Sequence, residues 1–436
     1  MKTIIENISI VNAGRMFVGN VLIEDEYIQC VSDKPITCFA NEKIDGKGKL
    51  LFPGVIDSHV HFRDPGLTHK ADIKSESKAA IAGGVTSFMD MPNTSPQTTT
   101  IEAWENKMSN AKNTAYANYA FWLGATNDNY ETLLNADYSK ICGIKLFMGS
   151  STGNMLVDND TILEQLFANA PALIAAHCED EETIKNNITK AKEKWNEDVP
   201  WCEHANIRSR EAYYKSAAKA VCLAKRYNTK FHLCHISTKD EIELLCADNI
   251  TGEVSPNHLT FNNNRYTEKG ALMKCNPSIK TESDRQALLQ AVYQRRIATI
   301  ATDHAPHTLE EKQNSYFKAP SGMPSIQHSL VAMLEFVNSG ELTYQIVADA
   351  MCHAPSRLFN IEKRGFINEG YKADLTIVEK LDTPQKIKSI YKCEWSPMDD
   401  MTFSHRVCTT FINGHKVFDE GIISDEPKGQ PLTFKR

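Results

Sequence analysis

The stretch GVIDSHVHFRDPG, Gly54–Gly66, decides how the rest of the chain is read. Gly54-Val55-Ile56 opens an apolar, β-branched run suited to a buried strand. Side chains alternate along a strand, so His59 and His61 point the same way. Asp57 shares that face, and Arg63 joins it if the chain stays extended. A single histidine near a strand end is commonly a satisfied structural residue. Two on one face aim both rings at one point, which suits a bound ion.

The surroundings say what kind of strand this is. From Pro53 to Asn360, short apolar runs alternate with longer helical patterns such as KSESKAAIAGG, EAYYKSAAKAVCLAKRYN and SDRQALLQAVYQR. Strand-helix alternation implies a parallel sheet, and the (β/α)8 TIM barrel of ~250 residues is the expected α/β architecture. The ends differ. TIIENISIVN and FVGNVLIEDEYIQCVS near the start, and KADLTIVEK and TTFINGHKVFDEGII near the end, read as short strands around turns. The expected division is residues 1–52 and 363–436 pairing into one small β-sandwich, and residues 53–362 forming the barrel.

In such a barrel the chemistry sits at the C-terminal ends of the strands. Polar residues fall where the apolar runs stop. GVIDSHVH ends in His59 and His61, CGIKLFMG carries Lys145, ALIAAHCED holds His177, KFHLCHIS holds His235, and IATIATDHAPH reaches Asp303. Four histidines, a lysine and an aspartate at five strand ends make a candidate binuclear metal site, since imidazole and carboxylate suit zinc and its neighbours. His232 has the opposite parity from His235 and should face the helical layer. Lys145 inside a barrel is costly as a cation. Its neutral amine can take up carbon dioxide as a carbamate that bridges two metals. The alternative is an ordinary lysine paired with an acid. Asp57 either orients an imidazole from behind or is a buried aspartate satisfied by backbone.

Composition excludes several classes. The 436 residues carry a formal net charge of -7, with 42% hydrophobic and 24% charged residues. No block of Lys and Arg points to nucleic acid or a membrane surface. No apolar run nears the roughly 18 residues of a membrane span. The start, MKTIIENISIVNAG, is polar where a signal peptide needs an apolar core. The 12 cysteines are scattered without a C-x-x-C pair, which reads as reduced thiols in a cytoplasmic protein.

These residues resemble the amidohydrolase superfamily, and within its cyclic amidase branch the dihydroorotase family. His-Phe-Arg-Asp-Pro-Gly, the MDMPNTSPQTT stretch, KCNPSIK and ATDHAPHTLEEKQNSYFKAPSG carry the likeness, which runs over nearly the whole chain. The resemblance implies reversible cyclisation of N-carbamoyl-L-aspartate to L-dihydroorotate in pyrimidine synthesis. It implies two divalent metals, zinc foremost, held by His59, His61, Lys145 as its N-carboxylate, His177, His235 and Asp303. A hydroxide between the metals would attack the ring, with Asp303 as general acid and base. Arg63, Asn93 and His307 would bind the substrate carboxylate, and Asn276 would line the pocket. A homodimer is the family's expectation. Retention of Lys145, with no acid before Asp158, favours the carbamate. Arg63 separates the reading from hydantoinase, dihydropyrimidinase and allantoinase, whose rings lack that carboxylate. A non-catalytic scaffold would be expected to have lost ligands. SGMPSIQHSL, with His328, and SPNHLTF, with His258, depart from the family pattern and have no assigned role. HTLEEKQNSYFKAPSGMP, residues 307–324, reads either as a lid or as a fixed loop.

Overall fold

The computed structural model describes residues 1–149 and 155–436. The barrel strands are Val55–Val60, Val85–Asp90, Asn118–Phe121 with its continuation Leu123–Gly124, Ile144–Phe147, Ile174–His177, Phe231–Leu233, Ile250–Val254 and Thr299–Ile300. Neighbours pair in parallel along this order. The third strand is interrupted at Trp122, whose N–H still donates to Asp90 O at 3.1 Å. The ring closes where Val60 bridges His304 and the His61 N–H donates to His304 O at 2.7 Å. The strands are almost wholly buried, as expected where helices cover one face and side chains fill the other.

Local chemistry starts the covering helices. Asp72 accepts from the Ser75 N–H to open helix Ile73–Ala82, and Thr281 caps Glu282–Tyr293 through Asp284 N–H. The barrel interior is a cluster of its own, with Met89, Trp122, Ala175 and Cys234 around Phe359. Among the described residues no helix is long and apolar enough to cross a membrane.

Both ends of the chain meet in a nine-stranded sheet separate from the barrel. Its centre is the antiparallel pairing of Lys49–Pro53 with Leu375–Gln385. Lys2–Asn12 adds to one side in parallel, and Phe403–Ile412 to the other in antiparallel fashion. Ile5, Ile8, Ile10, Val21, Leu51, Ile377 and Phe411 share its core. The fold is therefore an α/β TIM barrel with a smaller β unit built from both termini.

Parity fails for His232, and the contacts of Asp57 fit the second of its two readings, a buried aspartate held by backbone. His232 faces the barrel interior, not the helices. Its ring lies 6.2 Å from that of Phe359, which also meets Trp122 of the third strand. The sixth strand stops at Leu233 and His235 has φ +37°, so alternation does not carry from one histidine to the other. Asp57 touches no imidazole nitrogen. Its carboxylate accepts from the Thr302 N–H at 3.0 Å, the Thr302 hydroxyl at 2.6 Å and the His59 N–H at 3.3 Å. It ties the first strand to the segment after the eighth, and burial pushes its carboxyl up to about 6.

Candidate active site

The loop after the first strand is fixed from below. The Phe62 N–H donates to Asp90 at 2.7 Å, and Asp90 pairs with the buried Lys107. Phe62 packs on Phe88 with ring centroids 4.4 Å apart. This aims His61 and Arg63 over the strand ends.

His59 and His61 are held alike by different residues. The Nδ1 of His59 meets the carboxylate of Glu253, on the seventh strand. The Nδ1 of His61 lies 2.7 Å from Asn93 Oδ1. An Nδ1–H bonded to an acceptor leaves Nε2 as a lone pair. Both Nε2 atoms point at Asp303 Oδ1, at 3.4 and 3.0 Å. The ligand atoms of His59, His61 and Asp303 all lie within 4.8 Å of one another. Two imidazole lone pairs and a carboxylate converging on one point fit a divalent cation.

His177 and His235 form the second group. His177 Nε2 lies 3.0 Å from Glu179 Oε2, and its Nδ1 lies 2.9 Å from His235 Nε2. Glu179 also accepts from Arg208 Nη1 at 2.6 Å. The His59 and His235 rings are 5.4 Å apart, so the two groups adjoin. Lys145 is fully buried beneath them, with Nζ 3.0 Å from Cys234 Sγ and 5.1 Å from the centre of the Phe147 ring. Among the described residues its partner is a thiol and not an acid.

The electrostatics follow the geometry. Burial and Lys145 pull the His59 imidazole down, but Glu253 and Asp303 more than offset them and hold it at about 10. Surroundings that retain a proton so firmly also favour a metal cation in its place. Burial opposes the Asp303 charge, yet His59 and His61 hold its carboxyl well below the usual range. Burial likewise opposes the charge of Glu179, and Arg208 with His177 brings it down to about 2. Arg63 is buried, which lowers it to about 10 and leaves it charged at neutral pH.

Arg63 donates from Nε to Pro306 O at 3.1 Å, and its Nη2 lies 3.0 Å from His307 Nε2. Asn276 presents its amide oxygen to Arg208 Nη2 at 3.2 Å and its nitrogen to Ser321 Oγ at 3.2 Å. His59, His61, Arg63, Asn93, Lys145, His177, His235, Asn276, Asp303 and His307 all line one cavity of about 90 Å³. That size suits a compact ligand and not an extended one.

Other histidines do structural work. His258 bonds Ser255 Oγ at 2.8 Å and Pro277 O at 3.1 Å. His328 sits against Tyr391 OH at 3.1 Å and Ile387 O at 3.3 Å. Glu253, Glu179 and Arg208 are functional-site residues that no sequence motif marked, and His232, expected on the helical layer, instead faces inward and holds Glu253 Oε2 at 3.2 Å. One signal was available. Glu253 is a charged residue in the apolar run of ITGEV, placed as Lys145 is in its own strand.

The chain is similar to known proteins over most of its length. The amidohydrolase family profile covers residues 50–417. A dihydroorotase of Thermococcus kodakarensis is 32% identical over 97% of this chain and 96% of its own. One from Staphylococcus epidermidis is 31% identical over 96% of this chain and 99% of its own. Among solved structures, an L-hydantoinase (dihydropyrimidinase) from Arthrobacter aurescens superposes with TM-score 0.93 at 25% identity, covering 99% of each chain. A dihydropyrimidinase from Brevibacillus agri gives 0.91 at 23% identity, covering 100% of each, and shows the fold alone.

Proposed function

We infer that this chain, which belongs to the amidohydrolase family, is a dihydroorotase: a hydrolase of cyclic amides that interconverts N-carbamoyl-L-aspartate and L-dihydroorotate. The observation that carries the substrate is Arg63. A buried guanidinium in the same cavity as the paired histidines suits a ring that bears a carboxylate.

The donor set fits two divalent cations, and zinc suits imidazole with carboxylate. His59, His61 and Asp303 would hold one, and His177 with His235 the other. Lys145, as its N-carboxylate, would add two oxygens. Bound there, the metals would supply Lewis acidity and a water acidified enough to act at neutral pH. The remaining work belongs to the side chains. Arg63 and His307 grip the substrate carboxylate, with Asn276 beside them. Asn93 holds His61 and forms part of the same wall. Asp303 would move the proton: in hydrolysis it takes it from the attacking water and delivers it to the ring nitrogen that leaves, and in synthesis it takes it from the carbamoyl nitrogen and returns it to the departing water. The barrel of residues 53–362 would be the catalytic unit, and the enzyme would act in the cytoplasm.

The test is loss of the far-ultraviolet absorbance of dihydroorotate, with hydantoin and allantoin assayed beside it and metal quantified on the same sample. Turnover of dihydroorotate alone supports the reading. Turnover of hydantoin without dihydroorotate would replace it with a hydantoinase-type amidase, which the solved neighbours also fit.

A further inference from the structure

Two lysines behind the pocket wall have no acidic partner among the described residues, although both are buried. Lys312 is 1% exposed. Its Nζ donates to three carbonyls: Lys274 O at 3.1 Å, Pro320 O at 3.0 Å and Gly322 O at 3.0 Å. Burial pulls the Lys312 amine down to about 7, but three carbonyl acceptors call for three N–H donors, and the ammonium has them where a neutral amine has two, so the geometry favours the charged form. Lys274 reaches the other way, donating to Tyr316 O and Ala319 O, each at 2.6 Å. Burying such charges is expensive unless every donor is satisfied. An apolar side chain could fill either place without that cost.

What these ammonium groups bind is the backbone that carries the pocket. Lys312 ties helix Leu309–Lys312 to Pro320 and Gly322 on one side, and to the segment bearing Asn276 on the other. The Gly322 N–H donates to Lys274 O at 2.8 Å, and the Ala305 N–H to Met323 O at 3.0 Å. Gly322 has φ +148°, and a Cβ there would lie 2.4 Å from Ala305 O and 2.9 Å from His307 Cδ2, so the strands of this loop are in close contact. Trp395 completes the bracing, its indole N–H donating to His307 O at 2.7 Å beneath Lys312. His307 Nε2 lies 3.0 Å from Ser321 O, and Arg63 Nε holds Pro306 O. The position of the guanidinium thus depends on backbone that the lysines clamp.

We propose that Lys312 and Lys274 are positioning residues that staple residues 305–324 into a fixed wall, holding Arg63 and His307 in register for the substrate carboxylate. The segment is then no lid, and the lysines act on substrate binding and not on the chemical step. The proposal rests on the reading of Arg63 and His307 as the carboxylate site.

The test uses the metal-loaded enzyme with Lys312→Met and Lys312→Arg. For Lys312→Met, KM for dihydroorotate should rise about tenfold or more, with kcat within about threefold and metal content unchanged. Hydrogen exchange of peptides spanning residues 305–324 should quicken by about tenfold. Lys312→Arg keeps the charge, but a planar fork cannot aim three N–H groups at converging carbonyls. It should shift both readouts in the same direction by less. If the Met variant does not fold, the Arg variant decides. Unchanged exchange in a folded variant would overturn the staple, and so would a fall in kcat with KM unmoved. Were dihydroorotate not a substrate at all, the wild-type assay would show it, and the exchange measurement would still judge the clamp.

Discussion

Glu253 is the residue on which the sharpest prediction turns. Its carboxylate is buried between two imidazoles, meeting His59 Nδ1 on one oxygen and His232 Nε2 at 3.2 Å on the other. Its contact with His59 spans 194 positions of sequence. Replacing it with glutamine keeps the shape and one oxygen acceptor but removes the charge. The amide oxygen keeps one bond in neutral form, and the other imidazole must turn its lone pair to the amide N–H as the opposite tautomer; each change loses the difference between a charge-assisted and a neutral hydrogen bond, about 1 kcal/mol. The His59 bond acts directly on a proposed ligand, and the His232 bond acts through Glu253. Together they give about 1–2 kcal/mol, or roughly five- to thirtyfold weaker metal binding at that site. That overlaps the roughly 10–100-fold found for partners of ligating histidines. Glu253→Ala should cost more, because it leaves both ring N–H groups buried without an acceptor. The assay is competition for zinc against a chromophoric chelator, with metal content measured on the same samples. The expected order of affinity is wild type, then Gln, then Ala. Two folded variants within about threefold of wild type would refute the argument that Glu253 sets the His59 ring.

Three other substitutions test separate parts of the site and fold. Arg63→Met removes two charge-assisted bonds to the substrate carboxylate, worth about 3 kcal/mol together, so KM for dihydroorotate should rise about a hundredfold; an unchanged KM would show that the guanidinium reads something else. Asp303→Asn should lower kcat by about 10²–10⁴ through loss of proton transfer, and near-normal turnover at full metal occupancy would rule that role out. Glu241 tests linkage away from the metals: burial pushes its carboxyl from 4.5 up to about 7, against hydrogen bonds from Ser237 and Thr238. The folded state then binds this proton more tightly than the unfolded chain. The stability it contributes is complete below about pH 4.5 and is lost as pH rises through 7, a span of about 3 kcal/mol. Glu241→Gln should flatten the fall in melting temperature between pH 5 and pH 8, and an equal slope in both proteins would count against it.

The residues proposed to bind metal could be read from sequence and their holders could not, for a physical reason. A ligand must be one of a few residue types, and barrel geometry puts it where an apolar run stops. His177 is the last residue of its strand, and Lys145 lies inside its own. The rule weakens where the backbone turns. Asp303 has φ +50° and Arg63 φ +66°, so both reach the cavity from beyond the strands and alternation says nothing about their direction. The same break at His235 misplaced His232. The terminal sheet was legible as strands but not as a pairing, since Leu51 meets Ile377 across most of the chain.

The holders obey no such rule. A ligating imidazole needs only some acceptor within reach of its second nitrogen, and the chain supplies a different one each time. Glu253 serves His59, Asn93 serves His61, and Glu179 serves His177, with sequence separations of 194, 32 and 2. No residue type or spacing is common to the three, so no local pattern could mark them. Lys312 and Lys274 are harder still, because their acceptors are backbone carbonyls, which every residue carries. Only the burial of an unpaired ammonium distinguishes them, and burial is a property of the fold. The part of a site that contacts the chemistry is therefore constrained in residue type, and the part that aims it is constrained in position alone. Substitutions among acceptors should reflect that difference: Asn93→Asp should preserve the orientation of His61, whereas His61→Asn should abolish its donor to the cation.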